Sequence, residues 1–282
     1  MRNSFILTLA VLPFLWACNK DLKGDIGEHL TDIQFRKVCY EAFDTDGDGV
    51  ISASEANAAS VLRLTNSEHY PSGFYGCDPW EIEGLKYFPN LEEFRYRGTY
   101  LKRLDFSSNK KLKTLILSSY SLQHLSLPSP CRIEVLELIQ LQCITEFTVP
   151  ASVQSLFLSN CYNLEKLEFE KPSGLKTILS SGLLHTNLTE LYLPEGLEVI
   201  EQDAAKNTKF QVVDLPSTIK AIGKNAFTSC TAMKYIVIRA ATPPEIVHPF
   251  DGATYSILVP PASLSLYKER WPQYESRLKA YE

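Results

Sequence analysis

From residue 91 onward one short pattern, apolar-x-x-apolar-x-apolar, keeps returning. It reads LEEFRY at 91, LKRLDF at 101, LKTLIL at 112, LQHLSL at 122, IEVLEL at 133 and ITEFTV at 144. VQSLFL at 153, LEKLEF at 164, LKTILS at 175, LTELYL at 188, FQVVDL at 210 and MKYIVI at 233 continue it. Early copies stand 9 to 11 residues apart, so alternate copies recur about every 21 (91, 112, 133, 153, 175), and the later steps widen to 22 and 23. A period of that size requires stacked coils, because one such unit cannot bury its apolar face alone.

Strand alternation assigns each position of the unit. Positions 4 and 6 face inward, position 5 faces outward, and the first apolar residue comes from the bend that enters the strand. One register therefore places Arg95, Ile116, Glu137 and Phe157 on an outer row. The other places Asp105, Ser126, Thr148, Glu168 and Tyr192 there. Ile116 and Phe157 make the first row the candidate ligand face, since exposed apolar groups on a regular surface anchor partners. Scattered apolar surface residues, or coverage by a neighbouring coil, account for the same pattern without a ligand. The ninth position of a unit, Asn109 in LKRLDFSSN and Cys161 in VQSLFLSNC, is placed to cap buried loop backbone.

Upstream lies a second constraint, FDTDGDGVISASEA at 43–56. So many carboxylates in a short glycine-containing stretch repel one another unless a cation sits among them. Asp44, Asp46, Asp48, Gly49, Val50, Ser52 and Glu55 fill positions 1, 3, 5, 6, 7, 9 and 12 of the D-x-[DN]-x-[DN]-G-x5-E pattern. The aspartates supply hard oxygen ligands, Gly49 the sharp turn, Val50 its carbonyl, Ser52 a direct or water-bridged contact and Glu55 the closing carboxylate. Ile51 is the apolar anchor that points inward. A capping box at Thr31-Asp32-Ile33-Gln34 starts the entering helix, and Ser54 to Ala59 begins the exiting one. A solvated acidic turn is the plain alternative. The stretch resembles the EF-hand loop, which implies bound Ca2+. Because one copy is present, the loop has to lean on something other than a second hand.

The N-terminus, MRNSFILTLAVLPFLWACNKD, carries Arg2 and then an apolar run from Phe5 to Ala17 that is short for a membrane span. Its end, Leu15-Trp16-Ala17-Cys18, resembles the lipobox of bacterial lipoproteins, although Trp16 departs from the usual small or β-branched residue. That resemblance implies a lipid on Cys18, and so contact with a membrane through the anchor only. Ordinary cleavage that leaves Cys18 as a thiol is the other reading.

Six cysteines follow Cys18, none in a CxxC pair. Cys161 and Cys230 read as core rungs, and Cys131 and Cys143 as buried thiols. Cys39 and Cys77 are placed either as a disulfide or as two thiols. The net charge of −5 over 282 residues argues against nucleic acid as a partner. The five histidines (29, 69, 124, 185 and 248) fit no nucleophile-elbow, zincin or kinase frame, and Glu92, Glu93, Glu165 and Glu168 read as solvated rungs. The sequence predicts no enzyme.

The repeats resemble leucine-rich repeat proteins over residues ~60 to 240. LYLPEGLEVIEQDAAKN, VDLPSTIKAIGKNAFTSC and IVIRAATPPEI look like the BspA-like repeats of bacterial surface proteins. Ala226, Phe227 and Cys230 match that signature, whereas Ala204-Ala205 replaces its Ala-Phe. The tail resembles the closing segment of the same family, a strand and then a helix with Leu266, Tyr267, Trp271 and Leu278.

The expected architecture is a β-rich, mixed α+β solenoid. It comprises a signal peptide (1–17), a linker (18–30), an EF-hand cap (31–60), a leucine-rich repeat stack (61–240) and a C-terminal strand–helix cap (241–282). The resemblance implies a lipid-anchored module of the outer membrane or cell surface that binds an unknown protein or glycan. A structural envelope protein and an accessory subunit of a surface hydrolase are the alternatives.

Overall fold

Leu62 and its counterparts explain the architecture. In a computed structural model describing residues 24–65, 79 and 82–282, Leu62 stacks in register on Phe94, Leu115, Leu136, Leu156, Ile178, Ile200, Ile222 and Ile246. Each contributes an apolar side chain that only the coils above and below can cover, so the column exists only as a stack. The strands that carry it are Val61–Thr65, Glu93–Arg97, Thr114–Ser118, Val135–Ile139, Ser155–Ser159, Thr177–Ile178, Val199–Ile200, Ala221–Ile222 and Glu245–Ile246. They form one parallel sheet of nine strands. The entering-bend residues Leu91, Leu112, Ile133, Val153, Leu175, Leu197 and Ile219 are buried behind it.

The interleaved copies of the pattern build the other wall. Arg103–Asp105 pairs with His124–Ser126, and Glu146–Val149 pairs with Lys166–Phe169. A five-stranded parallel sheet then runs through Glu190–Tyr192, Val212–Leu215, Tyr235–Ile238, Ser256–Val259 and Leu278–Ala280. The expected second row of Asp105, Ser126, Thr148, Glu168 and Tyr192 is thus broken into three pieces. Beyond residue 188 the repeats at 188, 210 and 233 belong to this second wall. The main sheet continues there in L-x-x-I segments (Leu197 with Ile200, Ile219 with Ile222), where its strands shrink to two residues.

Two columns of non-glycine residues with left-handed backbone turn the corners. Gln140, Asn160, His185, Asn207 and Ser229 form one, and Ser181, Asp203, Asn225 and His248 form the other. At these corners the amides reach the next coil: Gln140 N donates to Ser159 O, Asn160 N to Leu184 O and Asn207 N to Thr228 O. These inter-coil bonds offset the cost of the unfavourable φ.

The ends depart from expectation in informative ways. At the N-terminal end α1 (Ile33–Phe43) is capped by Asp32, whose carboxylate accepts from Phe35 N, and not by Thr31. α2 (Ala53–Ala58) starts from a capping box of Ser52 and Glu55. Residues 24–30, expected as linker, are folded. Ile26–His29 is a 3-10 turn, and Ile26 and Leu30 are fully buried.

At the C-terminal end α3 (Leu264–Arg270) buries Tyr267 and is followed by buried Trp271, while Leu266 stays exposed. Leu278 lies on the final strand, not on the helix, and pairs with Ile257. The helix is the crossover that a further parallel strand requires. Phe250 packs against Phe227, Tyr255, Trp271 and Tyr274, and the Arg277 guanidinium donates to Ala253 O and Phe250 O. Among the described residues no helix is long and apolar enough to cross a membrane.

Candidate metal centre and recognition faces

The acidic loop is shaped by hydrogen bonds from its own backbone amides to its own carboxylates. Asp44 accepts from Gly47 N (2.9 Å) and Gly49 N (3.0 Å). Asp46 accepts from Asp48 N, and Asp48 from Val50 N. Gly49 sits at φ 83°, a left-handed turn in which a side chain would be strained. These bonds gather carboxylate oxygens of Asp44, Asp46 and Asp48 within 4.8 Å of one another. A hard-oxygen set of that kind can hold a hard cation and has little use for a soft one.

Glu55 lies outside that trio. One oxygen accepts from Thr45 N (2.6 Å) and Thr45 Oγ1 (2.9 Å), the other from Ser52 N and Ser52 Oγ (both 2.9 Å). The Ser52 and Thr45 amides hold its carboxyl down at about 2 despite slight burial. The arrangement makes Glu55 the clasp between the loop's start and the cap of α2. Ser52, meanwhile, is the N-cap of α2.

Behind the loop the chain packs the segment that precedes α1. Ile51 is fully buried; its amide donates to Asp25 Oδ1 (2.9 Å), and its carbonyl accepts from Ile26 N (3.0 Å). Asp25 also accepts from Gly27 N and from the Tyr40 hydroxyl. Partial burial raises the Asp25 carboxyl, but the Tyr40, Ile51 and Gly27 donors outweigh it and leave it below the usual range. The same bond pushes Tyr40 up to about 12. Gly27 is obligatory, since a Cβ there would collide with the Tyr40 ring. Asp25 belongs to no ligand pattern of the sequence, and its one faint signal is the Asp-Ile-Gly turn ahead of the helix.

The anticipated outer row exists as a register. Arg95 pairs with Ile116, Ile116 with Glu137 and Glu137 with Phe157. Its exposure differs from expectation. Ile116 is 4% exposed although it lies outside the inner core, and Phe157 is half-buried. Long neighbours in the row shield a β-branched side chain that stands between them.

The carboxylates that imitate an acid–base pair are engaged in rungs. Glu93 bridges Arg63 and Arg95 at 2.6 and 2.7 Å, and Glu92 meets Lys113 at 2.8 Å. Glu168 meets Lys166 at 2.9 Å, and Glu165 accepts from Asn187.

Asn109 caps as expected: its Nδ2 donates to Leu85 O and Phe88 O, both at 2.9 Å. Cys161 and Cys230 are buried, with sulfurs against the carbonyls of Leu138 and Ala205. Burial pushes the Cys161 thiol up to about 11. Cys143, however, is exposed and Cys131 half-buried, and neither forms a disulfide. Cys143 sits at a corner turn, where its sulfur lies 3.7 Å from the Tyr120 carbonyl of the preceding coil and stays open to solvent. Cys39 is buried on α1; Cys77 and Cys18 lie outside the described residues.

The family model described as "BspA type Leucine rich repeat region" matches residues 136–234 in six copies. Those coils are similar to BspA-type leucine-rich repeats. Two solved structures share the likeness at 15% identity. One is a leucine-rich repeat protein from Bacteroides ovatus, matched over 71% of this chain and 63% of that one with a TM-score of 0.25. The other is a leucine rich cell surface protein from Faecalibacterium prausnitzii, matched over 73% and 65% with a TM-score of 0.29. This chain therefore spans just under two thirds of each. No curated protein matches. The matched segment includes the main-sheet strands from Ser155–Ser159 to Ala221–Ile222 and the first two strands of the five-stranded sheet. The acidic loop and the C-terminal aromatic cluster flank it on either side.

Proposed function

We propose that the protein is a binding module of the bacterial cell envelope, not an enzyme, whose repeat surface recognises a protein or glycan. The observation that carries this reading is the unbroken nine-stranded parallel ladder, which presents its outer residues at a fixed spacing of about 5 Å per coil. A surface of that kind suits an extended partner that meets several coils at once.

In this reading Asp44, Asp46 and Asp48 hold Ca2+, the Val50 carbonyl adds to the shell, and Ser52 and Glu55 complete it by exchanging their bonds to Thr45 and to each other for the ion. The ion supplies positive charge that offsets the repulsion of the loop, and its binding energy becomes stability of the N-terminal cap. The chain's own residues do the positioning: Gly49 makes the turn, Glu55 clasps Thr45 to Ser52, and Asp25 fixes Ile51. Cys18 carries the lipid that holds the module at the outer membrane or cell surface. Arg95, Ile116, Glu137 and Phe157 remain the candidate contact row, with Ile116 contributing as packing.

The test is capture from envelope and host extracts by the full chain, with and without chelator. Partner capture that survives chelation near room temperature, while the melting temperature falls, fits a cap-stabilising ion. Absence of any captured protein or glycan removes the binding reading.

A further inference from the structure

The corner that follows the wide sheet differs from the rest of the surface. In a chain with 22% charged residues, the segments 118–121, 139–143, 159–163 and 180–187 contain no Asp, Glu, Lys or Arg. These are the same corner in four successive coils, aligned by the register of their strands and by the amide links from Gln140 to Ser159 and from Asn160 to Leu184. Charge returns at its margins, with Arg97 above and Glu201, Asp203, Lys206 and Lys209 below; there Glu201 accepts from Ser180 N and Oγ, and Lys209 donates to Asn187, so the uncharged stretch centres on 118–121, 139–143 and 159–163.

What the strip carries instead is exposed aromatic rings and amides. Tyr120 and Tyr162 are 47% and 52% exposed. They stand two coils apart, about 10 Å along the stack. The Tyr120 hydroxyl accepts from Gln140 Nε2 (2.6 Å), and Gln142 Nε2 donates to the Asn160 carbonyl (2.8 Å). Tyr162 stacks on exposed His185, with centroids 5.7 Å apart and rings within 28° of parallel. The rings are therefore pre-set by neighbours on rigid coils, and little side-chain freedom remains to be lost on binding.

We propose that this corner is a binding strip for a neutral oligosaccharide laid along the stack. Sugar rings offer flat C–H faces that pack on tyrosine and hydroxyls that pair with amide side chains. A chain of β-linked sugars repeats its facing every second residue, a length close to two coils. Tyr120 and Tyr162 would each take one apolar sugar face, while Gln140, Gln142 and Asn160 serve the hydroxyls between them. The lack of fixed charge disfavours acidic glycans and nucleic acid, which need clustered cations. A protein partner would be expected to use anchoring charges or a wider apolar patch, and the strip provides neither. The inference rests on the binding-module reading and narrows it to one ligand class and one surface.

Native gel electrophoresis of the full chain through galactomannan, xyloglucan, mixed-linkage β-glucan and glycogen tests it, with an array of neutral and acidic oligosaccharides run in parallel. At least one neutral glycan should retard or capture the protein. Tyr120→Ala and Tyr162→Ala should each weaken that binding about five- to tenfold with melting temperature unchanged, as expected for loss of one stacking contact. Tyr162→Phe should retain most of it, and Tyr192→Ala, on the opposite wall, all of it. No neutral glycan bound, binding of acidic glycans only, or binding indifferent to both tyrosines overturns the strip. Capture of a protein partner that persists in Tyr120→Ala and Tyr162→Ala would overturn the strip and leave the module reading standing; failure to capture anything removes both.

Discussion

Ile26 donates its amide to the carbonyl of Ile51 across 3.0 Å, and both side chains are fully buried. Through this contact the segment that precedes α1 is tied to the C-terminal half of the acidic loop. Asp25 completes it by accepting the Ile51 amide. The loop's shape is therefore tied to residues 25–27, which are remote from the carboxylates themselves.

That tie makes a first prediction. Ca2+ should raise the melting temperature of the full chain, and Asp46→Ala should abolish the rise. Asp25→Ala should weaken Ca2+ binding without removing a ligand, and should destabilise the cap by about 1–3 kcal/mol through the unpaired Ile51 and Gly27 amides. Calorimetric titration and thermal melts of the three proteins decide it. An Asp25→Ala protein with unaltered affinity would show that the segment is not coupled to the loop.

Asn109 is the polar hinge between the first described coils. Asn109→Ala removes one of two donors from each of the Leu85 and Phe88 carbonyls, which keep only the amides of Phe88 and Leu91. The expected loss is about 2–3 kcal/mol in denaturant unfolding, with faster amide exchange concentrated in 85–91.

Ile116 separates packing from contact. Since it is buried, Ile116→Asp should destabilise by about 3 kcal/mol or more, as a large apolar group is exchanged for a desolvated carboxylate. Phe157→Asp, at a half-buried site of the same row, should cost less. Equal urea midpoints for Ile116→Asp and wild type would contradict the covered position.

The thiols should divide by burial. At pH 8 Cys143 should alkylate readily, whereas Cys161, with its thiol pushed up to about 11, should react only on unfolding. Mass mapping of the labelled peptides reads this directly.

At the other end, Phe250 joins the last coil to the closing helix. Phe250→Ala should cost about 3–5 kcal/mol, and because contacts in a stack are between neighbours, the loss should appear as early fraying of 245–282. Limited proteolysis that cuts there first would agree; uniform cutting along the chain would not.

Much of this was written in local sequence. Period and alternation were enough to place Phe94, Leu115, Leu136, Leu156 and Ile178 on one buried column, since a strand's two faces and a coil's length are local properties. They also put Arg95, Ile116, Glu137 and Phe157 in one register, and the loop pattern put Asp44, Asp46 and Asp48 together. The later main-sheet rungs at Leu197 and Ile219 were harder to see, because two apolar positions are too few to stand out from chance.

Whether Ile116 is covered, whether Asp25 reaches Ile51 and whether Tyr120 and Tyr162 share a neutral corner were decided by tertiary structure alone. Each depends on which residues far apart in the chain become neighbours across coils, and on how side chains of particular length shade one another there. Spacing along a sequence carries the direction of a side chain. It does not carry what that side chain meets.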